Sequence, residues 1–233
     1  MVDAVIEDPP YGARCHGGQT HDRKQGSTGS RVSDVGLQYD HLDADGVSEL
    51  VSRAALCCFG WAMWMTSHDL VPAYEIALAA AGRYTFAPLS IVIAGMNVRL
   101  AGDGPSNWTV HMLVSRTKRK KCWSTKPGAY VVPRDPSAGR KGHGWVSGGK
   151  PLGLMEAILR DYTEPGDLVL DRFTGGGTTG VAAIRLGRRF HGYERKPEHF
   201  AIAVKRLRAA REQRRLFPEQ PDHPGELPEE ETT

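Results

Sequence analysis

Near the start of the chain, Asp8-Pro9-Pro10-Tyr11 sets a carboxylate, a main-chain carbonyl and an aromatic ring side by side. Two successive prolines offer no N–H to a sheet and hold the backbone extended, which frees the Pro9 carbonyl to point into a cleft beside Asp8. Tyr11 adds a flat face. Taken alone, the triplet reads first as a strand-ending turn with a solvated acid. A second group lies far along the chain: Gly175, Gly176 and Gly177, then Thr178 and Thr179, then Glu194. Glycines lack Cβ atoms, so they permit a tight turn and let a ligand approach the backbone. A carboxylate about 20 residues past such a turn, at the end of the next strand, can accept hydrogen bonds from both ribose hydroxyls of a nucleoside. Three glycines are also compatible with a merely flexible turn.

These residues need elements to position them. Asp167–Glu194 reads as strand, glycine turn, helix and strand, with Leu168–Leu170 apolar, a helix opening at Thr178–Thr179, a stop at Gly187, and a second strand over Arg189–Tyr193. Val2–Glu7 is the strand that ends at Asp8. Gly12–Asp40 is polar and without periodicity, and is expected to be a mobile loop beside the cleft. Its His16 and His21 lack partner ligands and are expected to be solvated. Asp45–Cys58 carries a helical stripe of Val47, Leu50, Val51, Ala54, Ala55 and Cys58. Phe59–Thr66 reads as a strand with Trp61 and Trp64 in the core. His68 and Asp69 are expected to cap a helix over Leu70–Ala81. Tyr84–Ala94 and Thr109–Ser115 read as an antiparallel pair at one sheet edge, with a turn-rich loop between them. Pro151–Tyr162 reads as a helix striped by Leu152, Met155, Ile158 and Leu159, and Pro197–Leu216 as a long helix with a basic outer face.

Composition bounds the function. A chain of 233 residues buries one good core, and 40% hydrophobic with 24% charged residues is ordinary for a globular protein. The formal net charge of +3 does not by itself call for a polyanion. Its distribution says more: six acids crowd the end, in the Pro218–Thr233 stretch that reads as a disordered acidic tail, so the rest is basic. Arg116–Lys121 (RTKRKK) places five basic residues in six beside Cys122 and Trp123, a composition suited to holding phosphates or to a solvated strand end. The four cysteines show no C-x-x-C spacing, which argues against zinc and a disulfide framework and fits reduced thiols in a cytosol. The start has no signal-peptide pattern, and the longest apolar run, Ala54–Met65, is too short to span a bilayer.

Read together, the two motifs resemble those of the S-adenosylmethionine-dependent amino-methyltransferases that act on exocyclic amino groups of DNA bases. The family's D-P-P-Y matches Asp8, Pro9, Pro10 and Tyr11. Its D-P-F-x-G-x-G-T-T is similar to Asp171, Arg172, Phe173, Thr174, Gly175, Gly176, Gly177, Thr178 and Thr179. The acid of the following strand matches Glu194, and a K-P that opens a helix matches Lys150 and Pro151. The D-P-P-Y motif coming first resembles the β-class, a circular permutation of the common fold, and the resemblance covers roughly Val2–Leu207. It implies an α/β, permuted Rossmann-like methyltransferase fold with a mostly parallel sheet and an antiparallel edge pair. The catalytic domain would be 1–216, with the mobile loop at 12–40 and a target-recognition segment at 116–149, followed by the tail at 217–233.

The resemblance also implies chemistry. Asp8 and the Pro9 carbonyl would each accept one N–H of an adenine N6 amino group flipped out of DNA, with Tyr11 stacked on the base, so that the nitrogen lone pair faces the sulfonium methyl. Lys150, Pro151, Asp171, Phe173, Gly175, Gly177, Thr178, Thr179 and Glu194 would hold the cofactor. Lys118, Arg119, Lys120, Lys121, Arg140 and Lys141 would contact DNA on the side of the two motifs, and a homodimer is one way to add contacts. No metal or membrane is implied, and the location would be cytoplasmic, in a prokaryote or phage. Cytosine N4 uses the same geometry and stays open, as does a non-catalytic DNA-binding module. Two departures bear on that last alternative. Arg172 replaces the family's proline, which is expected to relax the backbone slightly. The strand and helix that usually precede D-P-P-Y are not represented in the sequence.

Overall fold

The computed structural model describes residues 1–13, 41–94, 108–118, 125–133 and 149–216. The expected 12–40 loop beyond Ala13 and the 217–233 tail lie outside these residues.

One eight-stranded sheet runs through the molecule in the order β6-β4-β5-β2-β1-β7-β8, with a short β3 also paired to β5. In chain order the strands are β1 (Val2–Glu7), β2 (Cys58–Thr66), β3 (Tyr84–Thr85), β4 (Leu89–Ile93), β5 (Thr109–Arg116), β6 (Ala129–Val132), β7 (Leu168–Asp171) and β8 (Arg189–Gly192). The helices are α1 (Ala44–Cys57), α2 (Val71–Ala80), α3 (Leu152–Tyr162), α4 (Thr178–Arg185) and α5 (Pro197–Leu216). β1 pairs in parallel with β2 on one side and β7 on the other, and β7 pairs in parallel with β8. β5 runs antiparallel to β2, β3 and β4, while β4 and β6 are parallel.

Both faces of the sheet are covered, which is why its central strands are apolar over most of their length. Val5, Ala62, Trp64 and Leu113 meet Val47, Leu50, Val51, Tyr74 and Leu78 of α1 and α2 on one face. Ile6, Met63, Met65 and Val169 meet Met155, Ile158, Leu159, Ala182 and Ala183 of α3 and α4 on the other. Trp61 and Trp64 are both core residues. Asp43 caps α1, its side chain accepting from the Gly46 N–H at 2.8 Å.

Three local expectations change. His68 and Asp69 do not cap α2: they form a 3₁₀ turn, His68–Leu70, and α2 begins at Val71 with Pro72 in its first turn and no side-chain cap. The stretch Tyr84–Ala94 breaks into β3 and β4 around Pro88, which has no N–H for a ladder. Both pieces still pair with β5, but the sheet edge lies one strand further out. There β6, inside the segment expected to be target recognition alone, pairs Ala129–Val132 with Ser90–Ile93.

The far end of the sheet, opposite Asp8, is held by Arg83. Its buried guanidinium donates to Ser115 Oγ at 2.8 Å, Gly60 O at 2.7 Å and Cys58 O at 3.3 Å. Arg83→Met leaves buried acceptors of β2 and β5 unmatched. It is expected to cost about 2–4 kcal/mol in urea denaturation, with ligand binding by the folded protein unchanged.

Candidate active site

Strand order reverses between β1 and β7: the chain proceeds from β7 outward to β8, and from β1 the other way to β2. In an open α/β sheet the crevice beyond the carboxyl ends at such a point is where ligands sit. The Ala4↔Val169 and Val5↔Leu170 register brings the two motifs out side by side, Asp8 from β1 and Phe173–Gly177 from β7.

In this site Asp8 has a partner on each oxygen. The Tyr11 hydroxyl donates to Oδ1 at 2.9 Å, and Lys150 Nζ forms an ion pair with Oδ2. Lys150 Nζ also lies 5.2 Å from the Tyr11 ring centroid. Lys150 and Pro151, at the start of α3, therefore reach the D-P-P-Y motif across 142 positions of sequence. The Tyr11 ring is half-buried against the apolar cluster beneath α3. The turn after it is pinned by a residue not anticipated from sequence, Ser67, whose Oγ accepts from the Gly12 N–H at 3.0 Å.

The glycine turn is built as a cradle. Gly175 and Gly177 have φ of +51° and +82°, in the left-handed region where a side chain is strained. A Cβ at Gly177 would stand 3.1 Å from Ala203 of α5. At Gly175 the space is open apart from Phe173 O at 3.9 Å, which leaves room for a ligand against the backbone. Glu194 closes the turn, accepting from the Gly175 N–H at 2.8 Å and the Lys196 N–H at 2.8 Å. Beside Glu194 a groove between β8 and α5 is lined by Phe190, Tyr193, Phe200 and Val204. These features fit a nucleoside-bearing cofactor: a backbone cradle, a carboxylate for ribose, an apolar surface for a flat ring and the Lys150 cation for a carboxylate.

Other motif residues shape this cradle from behind. Asp171 is buried, and its carboxylate accepts from the Phe173 N–H at 2.8 Å and from the Thr179 hydroxyl. Burial pushes its pKa up to about 7 against the pull of those two hydrogen bonds, and the nearby charges of Glu7 and Asp8 add to the rise. Thr178 Oγ1 faces Arg206 of α5 at 3.3 Å, and Arg206 also donates to Gly176 O. Phe173 is half-buried and packs against the cluster under α1 and α2. Arg206 was not foreseen, because one arginine among many on a basic helix carries no sequence signal.

Lys118 is a correction. Arg116 pairs with Trp61, and Thr117 Oγ1 donates to Phe59 O at 3.0 Å, so β5 ends beside the start of β1 and β2. That is the opposite end from Asp8, about 16 Å away along the strand. β5 is antiparallel, so its carboxyl end points away from the cleft. Arg116 itself stacks over Tyr84, 4.6 Å from the ring centroid. Arg119, Lys120, Lys121, Arg140 and Lys141 lie outside the described residues. Among the described residues there is no group of three His, Cys, Asp or Glu that could hold a metal ion, and no helix long and apolar enough to cross a membrane.

Fold and site together are similar to those of S-adenosylmethionine-dependent methyltransferases, with the D-P-P-Y motif ahead of the glycine motif. Within that class the chain is similar to the DNA amino-methyltransferases: residues 109–205 match the DNA methylase family model N6_N4_Mtase. A stretch of 63 residues is 52% identical to the Type II methyltransferase M2.DpnII of Streptococcus pneumoniae, covering 27% of this chain and 24% of that one. The chain thus spans about a quarter of that curated relative. The crystal structure of the M1.HpyAVI–SAM complex superposes with a TM-score of 0.64 at 26% identity, over 88% of each chain. The PvuII DNA methyltransferase, named as cytosine-N4-specific, shares the fold with a TM-score of 0.60 at 18% identity, over 88% of this chain and 79% of that one.

A carboxyl group whose native pKa lies above its unfolded value stabilises the fold fully below the unfolded value, and loses that contribution as pH rises through the native one. For Asp171 the window runs from 3.8 to about 7. Wild type should therefore lose stability relative to Asp171→Asn across this range, with the difference flat above about pH 8. Urea denaturation of both proteins at a series of pH values measures it. A gap independent of pH would show that Asp171 does not change charge on folding.

Proposed function

We propose that this chain transfers the methyl group of S-adenosylmethionine to the N6 amino group of adenine in DNA. The observation that carries the reading is the placement of Asp8 and Pro9 next to the glycine cradle at the β1/β7 reversal. The bound cofactor supplies an electrophilic methyl on a sulfonium. The protein supplies position: Glu194 and the Gly175–Gly177 backbone would hold the nucleoside, and Lys150 would meet the cofactor's carboxylate. Asp8 and the Pro9 carbonyl accept the two N–H bonds of the amino group, which draws its lone pair out of the ring plane and toward the methyl. Tyr11 offers its face to a base that has left the duplex. Effective proximity of this kind is the main contribution in a direct displacement without covalent intermediate: the N–CH3 bond would form as the S–CH3 bond breaks, a neutral thioether would leave, and the nitrogen would give up one proton, which the Asp8 carboxylate is placed to accept.

Asp8 must exchange its present partners for the amino group, and a carboxylate anion beside Lys150 would favour that exchange. With Lys118 at the far end of the sheet, phosphate contacts fall to other residues. Arg140 and Lys141 remain candidates for that task by their charge alone. A homodimer would add base contacts that one chain lacks, and a cytoplasmic site follows from prokaryotic or phage DNA as substrate. The preference for adenine rests on the resemblance carried by Asp8. The intact acceptor set argues against a non-catalytic module.

Mass spectrometry of nucleosides from DNA incubated with protein and cofactor tests the reading: N6-methyl-2′-deoxyadenosine is expected, N4-methyl-2′-deoxycytidine would reassign the base, and no methylated nucleoside would defeat it. Asp8→Ala should abolish transfer with fold and cofactor affinity retained, since Asp8 acts on the base. Tyr11→Phe should be milder than Tyr11→Ala, because stacking needs only a π-face. Glu194→Ala should weaken cofactor binding by about 1.5–3 kcal/mol in calorimetry, the scale of hydrogen bonds to a charged group.

A further inference from the structure

Arg172 stands where the resemblance leads one to expect proline, and the structure gives it a task. Glu7, the last residue of β1, has a fully buried side chain and sits immediately before Asp8. Continuing the β1–β7 register sets Glu7 level with Arg172. The Glu7 carboxylate accepts four hydrogen bonds. Oε1 takes the Arg172 main-chain N–H at 3.3 Å and Nε at 2.5 Å, and Oε2 takes Arg172 Nη2 at 2.8 Å and Trp64 Nε1 at 2.7 Å. Arg172 Nη2 also donates to Leu50 O of α1 at 2.9 Å. The ends of β1, β2 and β7 and the flank of α1 thus meet at one carboxylate. A proline at 172 has neither the N–H nor the side chain for this.

The charges are arranged as two adjacent pairs. Glu7 faces inward and is neutralised by Arg172, while Asp8 faces the cleft and is paired with Lys150. Burial alone would lower the affinity of Arg172 for its proton, but its hydrogen bonds and ion pair with Glu7 more than offset this.

We propose that Glu7 and Arg172 are a positioning pair: they lock the Asp8–Tyr11 turn to the Phe173–Gly177 turn and thereby set the distance between acceptor nitrogen and methyl donor. The transfer step in this statement rests on the function proposed above. The locking does not.

The test uses Glu7→Gln, Arg172→Met and the double variant. Arg172→Met leaves a buried carboxylate without its cation and should be the least stable of the three. The double variant removes both charges and should recover most of that stability. The positioning role expects kcat at saturating cofactor and DNA to stay at least tenfold below wild type in this refolded double variant, with cofactor Kd within threefold. Arg172→Lys should restore part of it. Hydrogen exchange should show the Gly12, Thr174 and Gly177 amides at least tenfold faster in the double variant. If kcat recovers together with stability, the pair is structural only and the proposal is overturned. Unchanged exchange in both turns overturns it as well. A wild type that methylates no DNA would defeat the functional reading instead, and the exchange result alone would then decide on the locking.

Discussion

The parallel pairing of β1 with β7 is the constraint on which the site depends. Two segments separated by most of the chain contribute their carboxyl ends to one crevice only because Ala4 and Val5 lie beside Val169 and Leu170. A slip of one residue would turn Asp8 inward and Glu7 outward, since successive side chains alternate between faces. The apolar alternation of Ile6 toward α3 and Val5 toward α1 opposes that slip with buried area on both sides of the sheet. Packing on the two faces is thus what decides which of two adjacent carboxylates reaches the cleft.

Much of this was legible in the sequence. Val2–Glu7, Asp167–Glu194 and the helices have strong periodicity or glycine punctuation, and their boundaries came out within a residue or two. The strand-end positions of Asp8 and Glu194 were legible because an unpaired carboxylate has little to do in a core. What failed to show has physical causes. β6 is four residues long and half-exposed, too short for alternation to stand above a basic, glycine-rich background. Pro88 breaks a run whose hydropathy is continuous. Lys118 was assigned to the cleft by composition, whereas strand direction decides the end of the sheet it occupies, and direction is a property of pairing.

The partners of Glu7 and Arg172 illustrate a different limit. Each residue alone reads as an anomaly, an acid closing an apolar strand and a cation in a motif that elsewhere has proline. Their relation depends on register, which motif reading does not carry. Arg206 is hidden for the opposite reason: it looks like its neighbours on α5, and only the approach of Gly177 to Ala203 brings that helix turn under the cradle.

The reversal of β5 has a consequence for how such a protein can diversify. The chain leaves β4 at Ile93 and returns to β5 at Thr109 on the same side as Asp8, and it leaves β6 at Val132 and returns at Lys150 on that side too. Substitutions at these four ends act at the pole that carries Asp8 and leave the pairings of β1 with β7 and of β7 with β8 untouched. By contrast, β5 ends and β6 begins at the opposite pole. The same sheet therefore offers evolution one pole that can vary around the motif strands and one where Arg83 ties β2 to β5.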